Sequence, residues 1–143
     1  MKGPSAGKGV QNVLAQILPI KSPLHYMELR FLLPRLMPSI AKAGDEIGTL
    51  HFGTFVDLGN TQIGFFTIYD GDFRSYMNDF MKFIGPTFDE LMKHMKNPAP
   101  TPVAKNPEEF IAWAAALQRD PILFYSAYPP LGVQDVKALA VAA

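Results

Sequence analysis

The chain has 143 residues, 48% hydrophobic and 18% charged, with no cysteine and a formal charge of zero from 13 basic and 13 acidic side chains. That length suits a single domain, and the apolar fraction excludes wholesale disorder. The missing cysteines exclude disulfides, cysteine-ligated zinc or iron–sulfur clusters and a thiol nucleophile; the neutral balance argues against a nucleic-acid-binding module, which would carry a basic excess.

Residues 1–9, with three glycines, one proline and two lysines, read as a mobile tail ahead of one α+β domain over residues 10–143. The apolar run from Val10 is interrupted by Gln11, Asn12 and Gln16, too soon for a secretion signal. No apolar stretch approaches the roughly 20 residues that span a bilayer. The expectation is a cytoplasmic protein with neither a membrane nor a nucleic acid as partner.

Residues 10–21 read as a strand because Ser22-Pro23 follows, an N-cap with proline at the first helical position. Leu24, Met27, Phe31 and Leu32 then recur at helical spacing. Pro34 and Pro38 predict a kink near Leu33 or two short helices in series, and Gly44 predicts their end.

Residues 49–69 carry the clearest signal. Two runs rich in aromatic and β-branched residues flank Gly59-Asn60, which predicts a β-hairpin. With a two-residue loop, Leu58 opposes Thr61. One face then carries Leu50, Phe52, Thr54, Val56, Ile63, Phe65, Thr67 and Tyr69, and packs on helices. The other carries His51, Gly53, Phe55, Asp57, Gln62, Gly64, Phe66 and Ile68. A slip of one residue would remix the two sets.

Asp70-Gly71-Asp72 ends the hairpin and offers N-caps for an amphipathic helix through Phe73, Tyr76, Met77, Phe80 and Ile84. Gly85-Pro86 predicts a break, and Thr87-Phe88-Asp89-Glu90 a restart to about Met95. Residues 97–107 hold four prolines and read as an extended connection. A helix restarts at Asn106-Pro107-Glu108-Glu109 and stops at Asp120-Pro121. Residues 122–128 are strand-like, and Val133 to Ala143 suit a short helix.

The order is βαββαβ with extra helices, the ferredoxin-like pattern of an antiparallel sheet with helices on one face. Phe55, Phe66 and Ile68 beside His51 make the other face too apolar to stay wet. Burying each of the three is worth roughly 1.5–3 kcal/mol, so a cover is expected, and a two-fold partner provides one. A unit of this size with such a face resembles the dimeric α+β-barrel superfamily. The stretch from His51-Phe52 through Phe65-Phe66-Thr67-Ile68-Tyr69-Asp70-Gly71, then Tyr76 and Asp79-Phe80, is similar to a poorly characterised bacterial group. The resemblance implies a homodimer with an interior cavity. Its members include small monooxygenases, haem-binding enzymes and ligand-binding modules, so it implies no one chemistry.

His51 is the sharpest candidate catalytic residue, as a general base or an axial haem ligand, with Gly53 and Gly64 leaving space beside it. A hydrogen-bonded structural histidine is the plainer reading. Phe55, Phe66 and Ile68 would line a site for a small apolar or aromatic ligand, with Arg74 at its rim to clamp a carboxylate or a haem propionate. A solvated arginine beside helix-capping acids is the alternative. His25 and His94 fall on predicted helices without the i, i+4 pairing of zinc proteases, so no metal site is expected. The tyrosines and methionines suit core and rim. No nucleophile elbow, phosphate loop or dinucleotide fingerprint occurs. Two functions remain: a small-molecule binder or oxidoreductase, with haem as one cofactor option, and a non-catalytic self-association module.

Overall fold

A computed structural model describes residues 10–142; the tail expected over residues 1–9 lies outside them. The elements are β1 (Gln11–Pro19), α1 (Pro23–Arg35), α2 (Met37–Ile47), β2 (Leu50–Gly59), β3 (Gln62–Asp70), α3 (Phe73–Met92), a 3-10 turn (Val103–Lys105), α4 (Pro107–Leu117) and α5 (Val133–Ala142). The strands form one sheet in the order β1-β3-β2, with β3 antiparallel to both neighbours. β1 and β2 therefore run the same way with β3 between them, a split β-α-β unit crossed by α1 and α2.

Local chemistry sets the helix ends. Ser22 Oγ accepts from the His25 N–H at 3.2 Å, and Pro23 fills the first turn of α1. Pro34 falls in the last turn of α1 and Pro38 in the first turn of α2, so the segment divides at Leu36 into two helices in series. The stop expected at Gly44 falls one turn later, at Gly48, whose φ of 73° is the left-handed cap that glycine adopts without strain. α3 is one helix, not the expected two. Gly85 is buried against Val103 and Ala104, while Pro86 lies on the exposed side of the helix.

One core fills the helical side of the sheet. Leu14 and Leu18 of β1 and Ile63, Phe65 and Tyr69 of β3 meet Tyr76, Phe80, Ile84 and Phe88 of α3, with Leu29, Ile47 and Phe110 from the other helices. Phe80 and Phe88 pack edge to face at 5.2 Å, and Tyr69 stacks on Tyr76 at 4.0 Å. The buried Tyr76 hydroxyl donates to Thr67 Oγ1 at 2.8 Å, and Gln16 Nε2 donates to the Ala114 carbonyl at 2.9 Å. Both satisfy polar groups that burial would otherwise penalise.

The strand expected over residues 122–128 does not form. β1 has a free edge, but the Gln118 side chain takes its place-holding bonds: Oε1 accepts from Ala15 N–H and Nε2 donates to the Val13 carbonyl, both at 3.2 Å. Arg119 N–H then donates to the Ala15 carbonyl at 2.7 Å. With those groups satisfied and Pro121 unable to donate, the chain leaves the edge. Ile122, Leu123 and Tyr125 are exposed, and the segment returns where Val10 N–H meets the Pro129 carbonyl at 3.1 Å.

The hairpin register also departs from expectation. Leu50 does oppose Tyr69, as a two-residue loop at Gly59-Asn60 requires. His51 is then an extra residue, a β-bulge, and from Phe52 onward the pairing is shifted by one: Phe52 faces Ile68 and Phe55 faces Phe65. A second irregularity between Asp57 and Gly59 moves the turn to Asn60-Thr61, both in the left-handed region. Gly53, Phe55 and Asp57 therefore join the helical face. Phe52, Val56 and Leu58 join Phe66 and Ile68 on the other.

Candidate functional site

The α1–α2 crossover arches over the β2 edge instead of lying flat on the sheet, and a cavity of about 690 Å³ opens beneath it. Its floor is core: Ile63, Phe65, Phe80, Ile84, Phe88 and Leu91. Leu33, Met37, Ile40 and Ala41 form the roof, and Leu50 and Phe55 the strand wall. Few polar residues line it: His51, Thr67, Thr87, Asp45 and a rim pair of Arg30 and Asp57. Arg30 Nε reaches Asp57 Oδ2 at 3.5 Å, tying α1 to β2 across the opening. Both partners are half exposed, so the tie contributes at most about 1 kcal/mol.

His51, the extra residue of the bulge, stands at one end of the wall. Its Nε2 lies 2.7 Å from Asp70 Oδ1, and the two side chains are only 9% and 16% exposed. Asp70 Oδ2 accepts from Val133 N–H at 2.7 Å, at the first turn of α5. The carboxylate thus joins β2, β3 and a helix N-terminus, a favourable place for an anion. With Asp70 receiving the Nε2 proton, a neutral His51 carries its lone pair on Nδ1, which has no hydrogen-bond partner among the described residues. An imidazole oriented by a half-buried carboxyl group is equipped to accept a proton or a ligand's hydrogen bond.

The expected site residues divide. His51 and Phe55 line the cavity. Phe55 does so from the helical face, stacked on Phe65 at 4.5 Å, which corrects its grouping with Phe66 and Ile68. Those two are half-buried on the opposite face; Phe66 lies between Ala15 and Thr54, its ring so close over Gly64 that a Cβ there would clash at 2.5 Å. Arg74 lines nothing: it pairs with Glu108 of α4 at 3.0 and 3.4 Å on the exposed surface. The pairing shift at His51 causes the first correction, and the start of α4 beside the first turn of α3 causes the second.

The haem option does not fit these residues. The outer nitrogen of His51 is engaged by Asp70, which leaves only the recessed Nδ1 for an axial bond, and the arginine assigned to the propionates is elsewhere.

Sequence reasoning missed the roof of the cavity, whose residues were read as ordinary helix. It also kept His25 and His94 apart, whereas the fold sets their Nδ1 atoms 3.0 Å from each other. Burial, reinforced by the neighbouring His25, holds His94 below the ordinary histidine pKa.

No protein-family model matches the chain, and neither a curated protein nor a solved structure matches it. Among the described residues, no helix is long and apolar enough to cross a membrane.

Proposed function

We propose that the protein binds a small, mostly apolar molecule in the cavity under the α1–α2 arch, with His51 as the polar contact that orients it. The cavity itself carries the reading: about 690 Å³ lies within the range of small-molecule sites, roughly 300–1,000 Å³, and its apolar walls with a few convergent polar groups match their usual make-up. The ligand class follows from the walls. Stacked Phe55 and Phe65 suit an aromatic or aliphatic body, and His51 suits one hydroxyl, carbonyl or carboxylate. Binding is favoured over catalysis because Asp70 serves α5 as well as His51, so the pair is accounted for structurally before any reaction is invoked.

The same reading includes a second copy of the chain on the opposite sheet face, in the manner of the dimeric α+β barrels that the element order resembles. That face presents Ala15, Ile17, Phe66, Ile68, Phe52, Val56 and Leu58, with Phe52 74% exposed, and its one charged strand residue, Asp70 at the end of β3, is engaged by His51 and the Val133 N–H. A face whose exposed positions are apolar, on a chain of zero net charge, meets its own copy without repulsion, and a two-fold contact covers both copies at once. The exposed Ile122, Leu123 and Tyr125 extend the apolar surface beyond the β1 edge. The strand order β1-β3-β2 is compatible with a ferredoxin-like βαββαβ unit, in which the place of the fourth strand beside β1 is met only by Gln118 and Arg119.

Chemical-shift mapping with indole and decanoate as probes tests the binding site. Shifts confined to Ile40, Ala41, Leu50 and Phe55 are expected. Shifts on Ile17 and Phe66 instead would move the site to the other face, and none at saturating probe would end the proposal.

A further inference from the structure

The geometry points to a divalent metal site, zinc being the best match, formed by His25 and Glu28 of α1 with His94 of the turn that follows α3. The three candidate ligand atoms stand 3.0 Å (His25 Nδ1 to His94 Nδ1), 3.6 Å (His94 Nδ1 to Glu28 Oε2) and 3.9 Å (His25 Nδ1 to Glu28 Oε2) apart. Ligand atoms on a tetrahedral zinc with bonds of 2.0–2.1 Å are separated by roughly 3.3–3.4 Å, so one ion fits among all three with shifts of a few tenths of an ångström. Without an ion the arrangement is poorly used. The two imidazoles share one hydrogen bond, and the carboxylate oxygen lies beyond hydrogen-bond distance of both rings.

Both walls of the site are fixed. His25 and Glu28 are one turn apart on a helix capped at Ser22, so their side chains share a face. His94 is held by backbone bonds to the end of β1. Its carbonyl accepts from Lys21 N–H at 2.8 Å, and Lys96 N–H donates to the Pro19 carbonyl at 2.9 Å, on either side of an Ile20–Met95 bridge. Two nitrogens and one oxygen suit a borderline cation such as zinc, and three protein ligands leave a fourth position for water. None of the three residues lines the cavity, so the site is separate from the one described above. Its effect is mechanical. Leu29 is the only fully buried residue of α1, and an ion at His25 and Glu28 staples this thinly anchored helix to the end of α3.

Calorimetric titration of the metal-free full chain with zinc sulfate, paired with thermal unfolding, tests the assignment. One equivalent of zinc per chain is expected, with a higher unfolding midpoint. Cobalt(II) in its place should give the visible bands of a low-symmetry nitrogen–oxygen site. His25→Gln and Glu28→Gln, which change partly exposed side chains and leave the Ser22 cap intact, should each weaken zinc at least about tenfold and abolish the midpoint shift. His94→Gln should do the same, and His51→Gln should change neither. No zinc binding by the wild-type chain, or binding unaltered in His25→Gln and Glu28→Gln, would overturn the proposal.

Discussion

Asp70 holds His51 with one carboxylate oxygen and the first turn of α5 with the other, at 2.7 Å in each case. A single half-buried carboxyl group thereby ties together the ring at the cavity wall, the bulge that carries it and the first turn of the terminal helix. His51→Ala and Asp70→Asn should each destabilise the protein, by about 1–3 kcal/mol, because each leaves the other partner without its principal contact. The double variant should cost less than their sum, with a coupling of about 0.5–3 kcal/mol in urea unfolding. Strict additivity would mean that the two side chains do not act as a unit.

The cap on α3 provides a pH test. Asp72 accepts from Ser75 N–H and Ser75 Oγ, both at 2.9 Å, and these bonds hold its pKa below the ordinary aspartate value. A depressed acid stabilises the folded state fully above its unfolded pKa of about 3.9, and that contribution is lost as pH falls through the lower folded value. Asp72→Ala should cost about 1 kcal/mol or less at neutral pH, the residue being exposed. The gap between variant and wild type should begin to narrow near pH 4 and close as pH falls through the lower folded value. A gap that does not narrow at all as pH falls would show that the carboxylate charge plays no part.

Tyr76 reports on the core. Burial pushes its phenol pKa far upward, against a smaller opposing effect of the hydrogen bond with Thr67. Tyr76→Phe should keep the stack on Tyr69 and lose that one hydrogen bond, at a cost of about 1 kcal/mol in chemical unfolding. A neutral result would mean that Thr67 finds another partner at no penalty.

The exposed apolar side chains of the sheet face predict the assembly state. Phe52→Asp with Leu58→Lys places opposite charges on exposed positions of that face and leaves the helical core alone. Light scattering should give a dimer mass for the wild type and a monomer mass for the variant. A monomeric wild type at micromolar concentration would remove the second copy from the account.

Much of this architecture is legible in the sequence because proline and glycine mark it. Ser22-Pro23 opens α1, Pro34 and Pro38 divide it from α2, and the aromatic runs about Gly59 form the hairpin. Three features are not legible, each for a tertiary reason. The bulge at His51 depends on Asp70 being met across the pair, which alternation alone does not encode. Residues 122–128 have strand composition, but the partner edge is occupied by the Gln118 side chain. His25 and His94 are 69 residues apart, and the pairing of residues 19–21 with residues 94–96 brings them together. At the site, His51 and Phe55 were recoverable as residue types; which face they serve was not.

The central claim is that the space under the α1–α2 arch receives a ligand, and filling it tests this most directly. Ala41 lies in the roof with its backbone exposed to substitution, so Ala41→Trp should occupy the cavity without opening the core. Fluorescence titration with anilinonaphthalene sulfonate should show one saturable site per wild-type chain and a loss of at least about tenfold in affinity in the variant, at unchanged thermal stability. Equal binding by both proteins would contradict the account.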